Sequence, residues 1–163
     1  MSEISKVAIV GVGTMGRAIA RRMLAAGVAT PEQLSGTVKH DWEVEGASAE
    51  LGIEVGTDNL AAARDADLSL ICTKPKGVAP VVKELAEGGA FDHDPLVISI
   101  AAGVATPSIE AAAGDRRVRV VRCMPNTPCL IGEGMLAICR GNHASRDDLD
   151  LAERVLSPLG RVA

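Results

Sequence analysis

Gly11-Val12-Gly13-Thr14-Met15-Gly16 carries the clearest chemical meaning in the chain. It follows a short β-branched run, Val7–Val10, and leads into a helix-like stretch, Arg17–Ala26. Glycines at this spacing between a strand and a helix suit a dinucleotide pyrophosphate. The first makes the tight turn, the second lets backbone approach the phosphates, and the third lets the helix pack against the strand. The helix start then offers unsatisfied N–H groups and a partial positive charge. Glycines also serve ordinary turns, so the motif draws its weight from its flanking strand and helix.

Three further segments stand where strands should end. Lys39-His40-Asp41 closes a second strand over Leu34–Lys39, where an adenosine ribose is expected. An acidic residue there would hold the 2′-hydroxyl of NAD, and basic ones favour the NADP phosphate. Both signs are present, so NAD and NADP stay open, with the balance leaning to NADP through Lys39 and His40. Thr73-Lys74-Pro75 ends a strand over Leu68–Cys72, and its lysine can face a cofactor ribose or phosphate. Ser99-Ile100-Ala101-Ala102-Gly103 ends a strand over Leu96–Ile100, and its small residues would let a flat ring lie against backbone.

Other reactive residue types carry less. Arg116, Arg117, Arg119 and Arg122 read as a solvated basic face. Asp147, Asp148 and Asp150 read as charges at a helix start rather than metal ligands. Cys72, Cys123, Cys129 and Cys139 form no C-x-x-C pair, and His40, His93 and His143 are scattered, so a zinc site has little support. The four cysteines are expected to be buried reduced thiols of a cytoplasmic protein. No residue here is assigned as a catalytic acid, base or nucleophile.

These segments need a scaffold of alternating strands and helices. Helices are expected over Glu43–Leu51 (closed by Gly52), Leu60–Arg64, Val78–Ala86 with Pro80 in its first turn, and after Thr106-Pro107, with Thr106 the cap and Pro107 the first helical residue. Strands are expected at Ile53–Val55, Val118–Cys123 and Gly134–Cys139. A two-proline loop, Met124–Pro128, joins the last two. Ser145-Arg146-Asp147-Asp148 resembles a capping box for a helix reaching Leu156. The alternation predicts an α/β, doubly wound, Rossmann-type, mostly parallel sheet with helices on both faces.

Composition agrees. The chain has 163 residues, 47% hydrophobic and 23% charged, which is about one domain (1–163) of ordinary globular character. A net charge of −4 gives no electrostatic case for nucleic acid or an anionic membrane. Trp42 and Phe91 are the only aromatics of the Phe, Tyr and Trp types, which nearly excludes a multi-ring base-stacking surface for single strands. No apolar stretch approaches the ~18 residues of a membrane span, and the first residues do not read as a signal peptide.

Taken together and in order, the glycine motif with Arg17-Ala18-Ile19, Lys74-Pro75, Ser99–Gly103, Arg122-Cys123-Met124-Pro125-Asn126-Thr127-Pro128 and Glu133-Gly134-Met135 resemble pyrroline-5-carboxylate reductase. The resemblance covers nearly the whole chain. It implies NADPH- or NADH-dependent reduction of the cyclic imine 1-pyrroline-5-carboxylate to L-proline. It also implies that Gly11, Val12, Gly13, Thr14, Met15 and Gly16 bind the pyrophosphate and that Asn59 lies beside the adenosine end. Thr73, Lys74, Pro75, Ala101 and Ala102 would meet the ribose and nicotinamide, and Asn126 would border the nicotinamide pocket.

Family members continue for roughly another hundred residues into a helical domain that dimerises and holds the substrate carboxylate, a length ordinary for a domain. Gly160-Arg161-Val162-Ala163 reads as the start of another strand, so the chain end reads as a truncation. The expectation is a chain that binds cofactor, turns over weakly, and is monomeric or weakly associated where the full-length form is a homo-oligomer. The alternatives are a nucleotide-binding or regulatory module without catalysis, or a reductase of a related cyclic imine.

Overall fold

The computed structural model describes residues 4–163. Eight strands form one sheet: β1 (Val7–Val10), β2 (Leu34–Thr37), β3 (Glu54–Gly56), β4 (Leu68–Ile71), β5 (Leu96–Ser99), β6 (Arg119–Met124), β7 (Gly134–Arg140) and β8 (Gly160–Val162). Their order is β3-β2-β1-β4-β5-β6-β7-β8. The six strands from β3 to β6 are mutually parallel. β7 runs antiparallel to β6, and β8 is parallel to β7. The expected doubly wound α/β architecture is therefore present.

Helices α1 (Thr14–Ala25), α2 (Asp41–Leu51), α3 (Asn59–Ala63), α4 (Pro75–Glu87), α5 (Thr106–Ala112) and α6 (Arg146–Leu156) cover the sheet. β1, β2, β4 and β5 are buried at every residue, as strands covered on both faces must be. Ile9, Leu70, Ile98 and Val121 pack on one face with Ile19 and Met23 of α1, Leu51 of α2 and Val155 of α6. Ala8, Val10, Val97 and Val120 pack on the other with Ala63 of α3, Val82 and Leu85 of α4 and Ile109 of α5. No helix among the described residues is long and apolar enough to cross a membrane.

Several boundaries differ from the sequence reading. α1 starts at Thr14, within the glycine run, three residues before the apolar period becomes visible at Arg17. β2 stops at Thr37, which leaves Lys39 outside the sheet and makes His40 the cap residue of α2. α4 begins at Pro75, so Pro80 lies inside the helix rather than in its first turn. Pro80 and Lys76, whose carbonyl Pro80 cannot bond, are both exposed. Burial of Val78, Val81, Val82 and Leu85 holds the helix together across this missing bond. α5 is shifted by one: Ala105 is the cap and Pro107 the second helical residue.

Two side-chain expectations are corrected. Cys123 and Cys129 are buried, but Cys139 is exposed and Cys72 only partly buried. β7 carries core residues such as Leu136 on the face that α6 covers, whereas Met135 and Cys139 point to the face left uncovered beyond α5. The arginine cluster is not a single solvated face. Arg119 donates to the Asp148 carboxylate and to the Asp94 carbonyl, and Arg116 pairs with Asp92 at 3.2 Å.

Candidate cofactor site

The strand register brings the candidate residues to one edge. Val10 pairs with both Thr37 and Ile71, Ile71 with Ser99, and Ser99 with Arg122. The loops after β1, β2, β4, β5 and β6 therefore leave the sheet side by side at its carboxyl edge. β2 and β4 flank β1, so the chain departs in opposite directions there, which opens the crevice where such sheets bind ligands.

The glycine loop is fixed by β2 and β4. Gly11 N–H donates to the Thr37 hydroxyl at 3.1 Å, and Val12 N–H donates to the Thr37 carbonyl at 2.7 Å. Gly11 has φ +94°, and a Cβ there would sit 3.1 Å from Thr73 N and Cγ2. A Cβ on Gly16 would lie 2.5 Å from the Gly11 carbonyl oxygen. A Cβ on Gly13 would meet nothing within 4 Å. The first and third glycines thus satisfy the protein's own packing, while the second borders open space.

That open space adjoins the start of α1. Gly13 caps the helix without a side chain, and the first turn holds no acidic residue. Arg17 points back to the Val12 carbonyl (3.2 Å) and to Glu50 (3.0 Å). The helix's positive end is thus met by no carboxylate of its own first turn. A diphosphate fits this arrangement: donors, positive potential and room above Gly13.

At the end of β2, Lys39 and His40 are exposed. The His40 and Trp42 rings stack with centroids 5.2 Å apart and planes 8° from parallel. Asp41 accepts from the Thr57 hydroxyl at 3.2 Å, so its carboxylate is tied to the β3–α3 loop. Val38 N–H donates to the Gly56 carbonyl, which sets the ends of β2 and β3 together. Asn59 is the first residue of α3, whose cap, Asp58, accepts from Ala61 N–H at 3.1 Å.

Thr73, Lys74 and Pro75 close the other side. Lys74 is the exposed cap of α4 and Pro75 its first residue. The Thr73 Oγ1 is buried and has no hydrogen-bond partner among the described residues. An unpaired hydroxyl is costly to bury, and a ligand oxygen would satisfy it. Ala101 is buried and Ala102 exposed, with Ala101 N–H donating to Ser99 Oγ at 3.4 Å. Asn126 Oδ1 accepts from Met135 N–H at 3.0 Å, pinning the two-proline loop to β7.

Sequence reasoning missed Thr37 and Gly36. The Thr37 hydroxyl anchors Gly11, and a Cβ on Gly36 would sit 2.5 Å from Val12 Cγ2. The only available signal was a glycine inside a strand, which marks close approach by another group. Arg119 and its partners lie at the opposite, amino edge, since Arg119 pairs with Leu96 at the start of β5. Among the described residues no group of three or more His, Cys, Asp and Glu is placed to hold a metal ion.

Comparison with known proteins agrees with this geometry. The family model described as "NADP oxidoreductase coenzyme F420-dependent" matches residues 6–103, more than half of the chain. The pyrroline-5-carboxylate reductase of Methanosarcina acetivorans is 34% identical over 158 residues, covering 97% of this chain and 57% of that protein. The Corynebacterium melassecola enzyme of the same name is 32% identical over 162 residues, covering 98% and 58%. The structure of a pyrroline-5-carboxylate reductase from Coxiella burnetii superposes with a TM-score of 0.88 at 30% identity, over 97% of this chain and 57% of that one. The chain therefore spans a little over half the length of the relatives it matches.

Proposed function

This chain belongs to the family described as NADP oxidoreductase coenzyme F420-dependent, and we propose that it is the dinucleotide-binding domain, over residues 1–163, of a pyrroline-5-carboxylate reductase. The reaction is hydride transfer from NADPH, or NADH, to the C=N bond of 1-pyrroline-5-carboxylate, giving L-proline. One observation carries the cofactor half of this reading: the uncapped start of α1 faces open space above Gly13, while Gly11 and Gly16 are closed against each other. The relatives named pyrroline-5-carboxylate reductase support the substrate half.

The nicotinamide supplies the hydride chemistry when bound, and the protein binds, orients and shields. Backbone N–H groups of Gly13, Thr14, Met15 and Gly16 hold the pyrophosphate, with Gly11 and Val12 shaping the turn. Lys39 and His40 meet the 2′-phosphate of NADP, which favours NADP over NAD because Asp41 is drawn away by Thr57. Asn59 flanks the adenosine. The Thr73 hydroxyl and Lys74 meet ribose and phosphate oxygens, with Pro75 fixing the turn into α4. Ala101 and Ala102 leave backbone open to a flat ring. Asn126 positions the Met124–Pro128 loop through Met135.

By the resemblance, the length of the relatives that this chain does not span would supply the substrate carboxylate site and the main dimer contact. The chain alone is monomeric or weakly associated, works in the cytoplasm, and binds neither nucleic acid nor membrane.

The test has two arms. Calorimetric titration of the chain should show saturable binding of NADPH, tighter than of NADH. A fusion of the chain to the remaining portion of the Corynebacterium relative should then oxidise NADPH only when 1-pyrroline-5-carboxylate is added. Binding without any such oxidation by a folded fusion would reject the substrate assignment, and absence of binding would reject the cofactor assignment.

A further inference from the structure

Trp42 is the chain's only tryptophan, and it is 79% exposed. Phe91, the one other large aromatic, is buried in the core. The remaining exposed large apolar residues among the described ones, Met124, Leu130, Ile131 and Met135, lie together around β6 and β7. Trp42 stands apart from them, in the first turn of α2 beside the end of β2. An indole left in water forgoes the burial that its large apolar surface would otherwise contribute. Its placement here asks for a ligand.

The indole is held in place. The His40 ring stacks on it, nearly parallel at 8°, and most of the indole stays exposed. The turn that carries both rings is tied at two points, by Glu43 N–H to the His40 carbonyl and by the Thr57 hydroxyl to Asp41. A flat apolar face fixed before binding loses little entropy when a second ring stacks on it.

Its location selects the second ring. The glycine loop sets the pyrophosphate at the start of α1, and the Thr37 bonds to Gly11 and Val12 set the end of β2 beside that loop. Trp42 follows Thr37 by five positions, while Thr57 and Asn59 approach from the β3 side. The adenosine half of a dinucleotide runs toward β2 in this architecture. Every base has a π face, and aromatic side chains stack on it.

We propose that Trp42, braced by His40, is a stacking platform for the adenine ring and hence a determinant of dinucleotide affinity lying outside the glycine motif. The inference rests on the dinucleotide reading above.

The uniqueness of Trp42 makes the test direct. Adenosine 2′,5′-bisphosphate, which lacks nicotinamide and so cannot accept energy from tryptophan, is titrated into the chain with fluorescence and calorimetry in parallel. Quenching should saturate with the calorimetric dissociation constant, and reduced nicotinamide mononucleotide should not quench. Trp42→Ala should weaken binding of both adenosine 2′,5′-bisphosphate and NADPH about 5- to 30-fold, the lower part of the range for one stacked base. Trp42→Phe should restore affinity to within about threefold. Because the side chain is exposed, Trp42→Ala should melt at the unsubstituted temperature, which separates stacking from damage to the fold. Calorimetric binding without quenching, or a Trp42→Ala affinity within twofold of the unsubstituted chain, overturns this inference alone. Absence of binding heat with NADPH overturns it together with the dinucleotide reading.

Discussion

A Cβ on Gly16 would come within 2.5 Å of the Gly11 carbonyl oxygen, so the first turn of α1 lies directly on the loop that opens it. This contact joins a packing requirement to a binding requirement. The close approach aims the helix start at the space above Gly13, and any side chain at position 16 would push it away.

Gly16→Ala and Gly13→Ala should therefore fail differently. At position 16 the obstructing atom is backbone and cannot rotate aside, so the variant should lose roughly 1–3 kcal/mol of stability as an overpacked site does. At position 13 the added methyl meets nothing in the protein. Gly13→Ala should fold within about 1 kcal/mol of the parent, the helix-cap cost of alanine for glycine, yet bind NADPH at least tenfold more weakly. Thermal melts and calorimetric titration of both variants separate the two outcomes. Equal melting and equal binding losses would contradict the division of roles.

Lys39, after β2, should set discrimination rather than overall binding. Lys39 and His40 are exposed, and Asp41 is engaged by Thr57. Lys39→Ala should weaken NADPH by about 3- to 10-fold, in keeping with roughly 1 kcal/mol for an exposed charge contact. NADH, which lacks the 2′-phosphate, should change less than twofold with Lys39→Ala. Thr57→Val should free Asp41 and further disfavour NADPH. Parallel titrations with the two cofactors give the ratio directly.

What was legible in the sequence was local. β1 and the α6 capping box are short patterns whose meaning is complete within a few residues. Ser145 Oγ accepts from Asp148 N–H at 3.2 Å, as that pattern implies. The start of α1 was hidden because Gly13 and Gly16 carry no apolar side chain to show a helical period. The end of β2 was hidden because Val38 continues the apolar run while its N–H already turns to Gly56. The anchoring of Gly11 by Thr37 and the pairing of Arg119 with Asp148 link residues 26 and 29 positions apart. No local pattern signals such pairs, because strand register creates the first and the packing of α6 on β6 the second.

The Arg119–Asp148 pair should be a stability element remote from the cofactor edge. Asp148 is 5% exposed, receives the Arg119 guanidinium, and accepts from Ser145 N–H at 2.8 Å. Asp148→Ala removes a cap and one of the two carboxylates that face Arg119, with the Asp94 carboxylate remaining at 3.2 Å, for a loss of roughly 1–2 kcal/mol. Asp148→Asn keeps an acceptor for the cap and should lose about half as much. Urea midpoints should fall with unchanged slope. NADPH affinity should stay within twofold for Asp148→Asn, since the pair lies at the amino edge.

The buried thiols should shape the alkaline limb of stability. Burial, and then the neighbouring Cys129, pushes the Cys123 thiol from 9.0 up to about 12. Desolvation where it packs against the core, and then Cys123, does the same to the partly buried Cys72. A folded pKa above the unfolded one means that the native state retains protons the unfolded chain releases. The contribution is whole below pH 9.0 and is lost as pH rises toward 12. The chain has no tyrosine, so no phenol titrates in that window. Stability should decline above pH 9 by at most about 1.4 kcal/mol per pH unit for each such thiol. Cys123→Ala should flatten the decline while leaving the limb below pH 8 parallel to that of the parent. At pH 8 a disulfide reagent should modify exposed Cys139 rapidly, and reach buried Cys123 and Cys129 only as fast as the chain opens. Rapid modification of Cys123 in the Cys139→Ser variant would show that the core around β6 is not closed as described.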